Sequence, residues 1–207
     1  MKAWDVKAGR DAIEKTLKAL TANGIEASLV ETGEEAKRKV LSMVPEKAEV
    51  FAMTSITLET LGIAREINES GRYTSVRPAL VKMDQKTQGR EMRKLGAAPD
   101  YALGSAHAVT ETGTVIVASL TGSQLAAYAS GAGTLIWVVG AQKIVKDVEE
   151  GMKRIQEYVV EKESARARKA YGLPDTFHTF PSKVLLFNRE VQPGRVKLIV
   201  VNEVVGF

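Results

Sequence analysis

A lone glutamate stands beside two threonines and a glycine, directly before an apolar, β-branched run. The segment reads HAVTETGTVIV and contains Glu111, Thr112 and Gly113. A carboxylate in such a position can serve as a nucleophile or as a general base. The same residues can also form an ordinary solvated turn, because Gly113 readily adopts the positive φ that a tight connection needs. The pattern alone leaves both interpretations open.

Three further segments are rich in hydroxyl groups and glycine, and each follows an apolar run. Hydroxyls and free N–H groups at a helix start favour an anion such as phosphate or carboxylate. Ordinary capping is the alternative, available to Thr54 or Ser55, and Thr121 with Gln124 has the spacing of a capping box. Lys143 could neutralise a bound anion, although a lone loop lysine is usually only solvated. Together with Thr112 and Gly113 beside Glu111, the candidate binding residues are Thr54, Ser55, Thr57, Thr121, Gly122, Ser123, Gly140 and Lys143.

Several kinds of site are excluded or disfavoured by residue type. The chain has no cysteine, which excludes disulfides, a thiol nucleophile and an iron–sulfur cluster held by its own thiolates. His107 and His178 are its only histidines and are far apart, so no metal site is predicted. The chain contains no P-loop, no dinucleotide-binding GxGxxG and no GxSxG nucleophile elbow. We therefore expect no cofactor.

Composition places the chain among ordinary globular proteins. Its 207 residues, 44% hydrophobic and 26% charged, predict a single domain over 1–207. No apolar run approaches the roughly 20 residues that span a bilayer, and the first residues are charged where a signal peptide would be apolar, so we expect a cytoplasmic protein. The net charge is +4, but basic residues alternate with glutamate along helices without interleaved aromatics, so we expect no nucleic-acid partner.

Helical and strand-like periodicities alternate along the chain. We predict helices over 9–24, 32–44, 56–71, 84–97, 122–130 and 146–172. We predict strands over 25–30, 48–53, 75–81, 101–104, 106–111, 114–119 and 134–139, and a terminal strand pair over 183–188 and 194–201 with a turn at Pro193-Gly194. This alternation favours a three-layer α/β/α domain around a mostly parallel sheet. Ligands bind such sheets at the carboxyl ends of the strands, so we expect the three hydroxyl-rich segments and Glu111 to form one site.

Residues 104–158 carry a resemblance to a known family. The segment GSAHAVTETGTVIVASLTGSQLAAYASGAGTLIWVVGAQKIVKDVEEGMKRIQEY resembles the core of the LUD (lactate utilisation, LutC-like) domain. The likeness extends to VFAMTSITLETLGI, RARKAYG and GRVKLIVVNEVVGF, and so covers nearly the whole chain. It is greatest to the small stand-alone members, which fits the absence of cysteine.

The resemblance implies a fold similar to that of the ribose-5-phosphate isomerase, glucosamine-6-phosphate deaminase and CoA-transferase group. In that group a loop after an early strand holds phosphate, and Thr54, Ser55 and Thr57 occupy the matching position. Glu111 resembles the nucleophilic glutamate of the CoA-transferases, beside a turn formed by Thr112 and Gly113, although the surrounding sequence departs from the transferase pattern.

Two functions follow from these observations. The first is an accessory or sensor protein that binds a small organic anion of the carboxylate, phosphate or acyl/CoA type. Its candidate partners are the other lactate-utilisation subunits and a second copy of the chain. We expect no binding to a membrane. The alternative is an enzyme that uses Glu111 as nucleophile or general base.

Overall fold

Six parallel strands form a central sheet in the computed structural model, which describes residues 3–207. The strand order is β1-β10-β7-β4-β2-β3. The strands are β1 (Glu26–Val30), β2 (Glu49–Ala52), β3 (Thr74–Ser75), β4 (Tyr101–Gly104), β7 (Thr134–Gly140) and β10 (Val196–Val201). The inner strands β7 and β10 are mostly apolar and buried, except at Thr134 and Lys197, as expected of a parallel sheet that is covered on both faces.

Helices directly follow β1, β2 and β3. The α-helices are α1 (Arg10–Ala22), α2 (Gly33–Met43), α3 (Ile56–Thr60), α4 (Ile63–Glu69), α5 (Val76–Val81), α6 (Gln85–Ala97), α7 (Val148–Arg154) and α8 (Val160–Tyr171). Helix α2 begins with Thr32 as its cap, accepting from the Glu35 N–H as its capping-box spacing predicts. Gly62, at a φ of 65°, separates α3 from α4 within the single helix predicted over 56–71.

Alternate residues of β7 belong to two different cores. Leu135, Trp137 and Val139 pack with α1, α5 and a second, smaller sheet. Ile136 and Val138 pack with α2, α3 and α4 on the other face. This period of two is the pleat of a strand buried on both sides. The predicted three-layer α/β/α domain with a parallel sheet is confirmed.

The second sheet was not predicted as a separate unit. Its order is β8-β5-β6-β9, formed by β5 (Ala108–Thr110), β6 (Val115–Ser119), β8 (Ile144–Val145) and β9 (Lys183–Phe187). Strands β5 and β6 are antiparallel, as are β6 and β9. One side of this sheet packs on the central sheet, and its other side packs on the α7–α8 segment. That segment is helical throughout, with a π-helical stretch at Ile155–Val159.

Three predicted elements differ in the structure. Residues 75–81 were predicted as a strand, yet Val76–Val81 is helix α5. Pro78 is tolerated there because first-turn N–H groups have no partner within a helix. The predicted terminal strand pair is wrong, since β9 joins β6 whereas β10 lies between β1 and β7. The helix predicted over 122–130 is largely a π-helical turn at Ala127–Gly131. No helix among residues 3–207 combines the length and apolar character needed to cross a membrane.

Candidate ligand-binding pocket

A cavity of about 800 Å³ opens at the carboxyl ends of three neighbouring parallel strands. Strand β2 leads into Met53–Thr57, β4 leads into Ser105, and β7 leads into the short 3-10 turn Ala141–Lys143. Because β2, β4 and β7 are adjacent in the sheet, these three ends converge. Strand β6 and the α7–α8 segment supply the opposite wall. This is the position at which open α/β sheets bind ligands.

Lys143 is the central polar side chain of this pocket. It is only 1% exposed, although it lies in the cavity wall. Its Nζ donates to Thr57 Oγ1 at 3.0 Å and to Ser105 Oγ at 3.1 Å. No salt bridge among residues 3–207 includes it. Burial, and secondarily the charge of Arg154, lower the pKa of Lys143 well below its ordinary value of 10.5.

The two hydroxyls beside Lys143 act as acceptors toward it. Thr57 Oγ1 donates its own hydrogen to the Val205 carbonyl at 3.3 Å, and Ser105 Oγ donates to the Ala106 carbonyl at 3.4 Å. Each hydroxyl has one hydrogen to give, so both bonds to Nζ must be donated by the lysine. A neutral amine then keeps a free lone pair, and an ammonium keeps a third N–H. In either protonation state, Nζ of Lys143 can form one further hydrogen bond, with a ligand.

His107 presents a fixed tautomer to the same pocket. Its Nδ1 accepts the Ala118 N–H at 3.0 Å, so the neutral ring carries its hydrogen on Nε2. Burial, followed by the charges of Lys143 and Arg154, lowers the pKa of His107 to about 3. The imidazole is therefore a neutral hydrogen-bond donor at physiological pH.

Arg154 lies behind His107 as a second buried cation. Its side chain is inaccessible to solvent, and Nη1 donates to the His107 carbonyl at 2.6 Å. Its guanidinium stacks on the Tyr158 ring at 5.2 Å, while Nε and Nη2 have no partner among residues 3–207. Burial lowers the pKa of Arg154 to about 10. An arginine of this pKa stays charged at neutral pH, and its field disfavours further positive charge on Lys143 and His107.

Arg77 and Arg166 also line the pocket, with different partners. The Arg77 Nε and Nη2 donate to the Ala52 carbonyl at 3.1 and 2.9 Å, which holds the guanidinium at the end of β2. Arg166 instead binds both carboxylate oxygens of Glu163 at 2.7 Å. Glu163 is the one acidic residue of the pocket lining within 3–207. Neither Arg77 nor Lys143 forms a salt bridge among residues 3–207, although the charge of Glu59 acts on Arg77 from a distance.

One side chain of the pocket lining, Tyr128, lies unusually close to the backbone of a neighbouring strand. The fully buried Tyr128 places its hydroxyl against Gly104, at the end of β4, where a Cβ atom would collide with the phenol oxygen. Tyr128 also meets Trp137 edge to face at a centroid distance of 5.4 Å. The absence of a side chain at Gly104 thus allows Tyr128 to reach the cavity.

Six of the predicted binding residues lie together in this pocket: Thr54, Ser55, Thr57, Thr121, Ser123 and Lys143. Gly122 lies in the turn between two of them, and its N–H is bound by the Ser119 hydroxyl. Gly140 does not line the cavity. It packs closely against Gln142 and the backbone of residues 203–205.

Glu111, Thr112 and Gly113 lie elsewhere. They form the turn between β5 and β6, outside the residues that line the Lys143 pocket. Glu111 pairs with Lys15 of α1 at 2.8 Å, and Gly113 packs on the end of α1 with a φ of 85°. Glu111 borders a separate hollow of about 650 Å³. The expectation that it shares a site with the hydroxyl-rich segments is therefore corrected, because the second sheet turns the β5–β6 connection toward α1.

Four pocket residues were missed as candidates from the sequence. Ser105 directly follows the predicted strand 101–104, so the rule that located the other segments could have found it. Arg77 was missed because its segment was predicted as a strand. His107 and Tyr128 carry no local sequence signal of a site. Among residues 3–207, no group of three or more histidine or acidic side chains could hold a metal ion.

Comparison with known proteins identifies the family. The LUD domain model matches residues 13–201. The chain belongs to the LUD domain family. A crystal structure of a DUF162 family protein from Deinococcus radiodurans is similar to this LUD domain at 15% identity, with a TM-score of 0.55 over 93% of this chain and 97% of that one. At this identity the likeness shows the fold alone. No curated protein matches the chain.

Proposed function

We propose that this LUD domain binds a small organic anion in the Lys143 pocket. The observation that carries the proposal is a buried lysine with no carboxylate partner, at the converging ends of β2, β4 and β7. Burying an isolated cation costs several kcal/mol unless something compensates it. A bound carboxylate, phosphate or acyl-phosphate group would supply that compensation. Arg77 and the hydroxyls of Thr54 and Ser55 line the same cavity and would add further donors.

The rest of the lining favours an anion with an apolar body. Aliphatic and aromatic side chains surround the polar groups, among them Phe51, Met53, Leu80, Ile155, Val159, Phe177, Phe180 and Phe207. Ligand pockets of this volume commonly bury most of a small organic molecule and orient it with a few polar groups. Inorganic phosphate would leave most of this apolar wall unused. An alkyl or aryl carboxylate, or an acyl ester, fits it better.

We propose an accessory or sensor role in preference to the Glu111 enzyme. Glu111 borders a different hollow from Lys143, so a ligand in the Lys143 pocket would not meet this carboxylate. The role beside other lactate-utilisation subunits is carried over from the family resemblance, and we propose separately that the chain forms a homodimer. Light scattering of the purified chain, alone and mixed with those subunits, tests both.

Binding is tested by calorimetry and thermal unfolding with a panel of carboxylates, phosphate esters and acyl-CoA esters. Phenyllactate and its neutral amide form an informative pair, because they differ in charge and little in shape. We expect the acid to bind and the amide to bind at least tenfold more weakly. A ligand at 100 times its dissociation constant stabilises the fold by about 2.7 kcal/mol, which a melting curve resolves readily.

The matched variants are Lys143→Met and Lys146→Met. Lys146 is exposed, lies three residues further along the chain and does not line this pocket. We expect Lys143→Met to lose affinity for the acid while Lys146→Met retains it. Equal binding by all three proteins, or no binding by any member of the panel, contradicts the proposal.

A further inference from the structure

We propose that the carbonyl carbon of a bound oxo acid condenses with the Lys143 Nζ to form an imine. The inference rests on the proposed function and narrows its ligand class, since an oxo acid is an organic anion that also carries a ketone or aldehyde. The side chain is buried in a cavity, uses two N–H groups on fixed hydroxyls, and has no carboxylate partner among residues 3–207. This arrangement leaves the lone pair of a neutral amine directed away from Thr57 and Ser105.

Three features suit that lone pair to attack. The two hydroxyl acceptors fix the orientation of Nζ, so little rotational freedom remains to be lost on reaction. Lysine becomes nucleophilic when it is desolvated in an apolar pocket or held near another cation, and both conditions hold here, with Arg154 as the cation. The same two causes lower the pKa of Lys143, which increases its neutral fraction at pH 7.

The chemistry balances without an external oxidant or reductant. The Nζ lone pair forms a C–N bond while the carbonyl π pair moves to oxygen, giving a carbinolamine. The oxygen then leaves as water with the two hydrogens of the amine, and a C=N bond remains. His107 lines the pocket with its hydrogen on Nε2, and this N–H can donate to the oxygen as negative charge develops on it.

The carboxylate of the ligand requires a separate partner, because Nζ of Lys143 reacts with the carbonyl carbon of the ligand. Arg77 meets this need. Its Nε and Nη2 are bound to the Ala52 carbonyl, and no hydrogen bond within residues 3–207 uses its Nη1. The guanidinium of Arg77, held at the end of β2, and the Lys143 side chain, in the turn after β7, line the same cavity. In the proposed complex one ligand contacts both groups.

Reductive trapping tests the imine. The purified chain is incubated at pH 7 with glyoxylate, oxaloacetate or phenylpyruvate in the presence of cyanoborohydride, then measured by intact mass and peptide mapping. We expect at least one acid to give a single adduct whose mass gain equals the acid minus one oxygen atom, located on Lys143. Labelling of Lys143 should be at least tenfold faster than that of any other lysine, because exposed amines are protonated at this pH. Lys146→Met should label like the wild type and Lys143→Met should lose the adduct.

The matched hydroxy acids separate this inference from the proposed function. Glycolate, malate and phenyllactate retain the carboxylate and cannot form an imine. If one of these hydroxy acids binds in the pocket and slows the labelling of Lys143 by the corresponding oxo acid, both proposals are supported. Binding of hydroxy acids without any Lys143 adduct overturns the imine and leaves anion binding intact. An adduct spread evenly over surface lysines also overturns the imine, and peptide mapping of the wild type detects this even where a variant fails to fold.

Discussion

Replacing Lys143 by methionine should stabilise the protein at neutral pH. Lys143 is 1% exposed and has no carboxylate partner among the described residues, so burial disfavours its charged form without compensation. Methionine has a similar length and carries no charge. The change removes two donated hydrogen bonds, each contributing about 1 kcal/mol. Thr57 and Ser105 keep the bonds that they donate to backbone carbonyls, so neither hydroxyl is left wholly unpaired.

The balance favours the variant. At pH 7 the buried amine costs several kcal/mol, either as an uncompensated ion or because it must release a proton that the unfolded chain keeps, and this exceeds the roughly 2 kcal/mol lost with the two hydrogen bonds. We therefore expect the free energy of unfolding at pH 7 to rise by about 1 to 3 kcal/mol in Lys143→Met. Such a gain at a ligand-binding residue would mean that the wild type sacrifices stability for function.

The pH dependence gives a second, independent check. Burial lowers the pKa of Lys143 in the folded protein below 10.5, so the unfolded chain binds more protons between the two values. The wild type incurs no stability cost from the titration of Lys143 above pH 10.5. That cost grows as pH falls from 10.5 toward the pKa of Lys143 in the folded protein. The advantage of Lys143→Met should accordingly shrink as pH rises through that window, by at most about 1.4 kcal/mol per pH unit.

Urea denaturation followed by circular dichroism measures both effects. Wild type, Lys143→Met and the exposed control Lys146→Met are compared at pH 7 and pH 9.5. The control should track the wild type within about 0.5 kcal/mol at each pH. A Lys143→Met protein less stable than the wild type at pH 7, with an unchanged denaturant slope, would refute the reasoning. So would a stability difference that is constant between the two pH values.

Three further changes probe the site and its surroundings. The pKa of His107 is about 3 in the folded protein against an ordinary 6.5, so wild-type stability should fall as pH drops from 6.5 toward 3. His107→Gln should abolish this loss of stability, which urea titrations across that pH range measure. Glu190→Gln should cost about 3 kcal/mol in urea denaturation. The guanidinium of Arg195, 5% exposed, loses its carboxylate partner at 2.6 Å and keeps hydrogen bonds only to backbone carbonyls. Glu111→Gln should change stability by less than about 1 kcal/mol and leave phenyllactate affinity unaltered in calorimetry, because its pair with the exposed Lys15 lies outside the pocket.

Each of these changes has an outcome that would contradict it. A His107→Gln protein that loses stability in acid as steeply as the wild type would place the responsible group elsewhere. An exposed pair, Arg65 with Glu69, is the control for Glu190, and a similar cost in Arg65→Gln would show that burial is not the cause. Loss of phenyllactate binding in Glu111→Gln would show that Glu111 takes part in the binding site.

The amino-acid sequence by itself determined most of the helices and strands of the central sheet and their layering. Helices α1 and α2 have a helical periodicity and β7 is an apolar run, and both patterns depend only on which side chains must be buried. The alternation of those elements was enough to predict a parallel sheet covered on both faces. The rule that ligands bind at the carboxyl ends of such strands then located Thr54, Thr121 and Lys143, all of which line one cavity.

Tertiary structure alone decided which strands pair and which polar groups are buried. Strand β9 lies close to β10 along the chain yet joins β6 in another sheet, and that sheet carries Glu111 away from the pocket. Lys143 reads in the sequence as an ordinary loop lysine, but β4, β7 and the loop after β2 enclose it. Periodicity is a property of neighbours along the chain, whereas burial and the pKa of an amine depend on groups brought together from distant positions, here Thr57, Ser105 and Arg154.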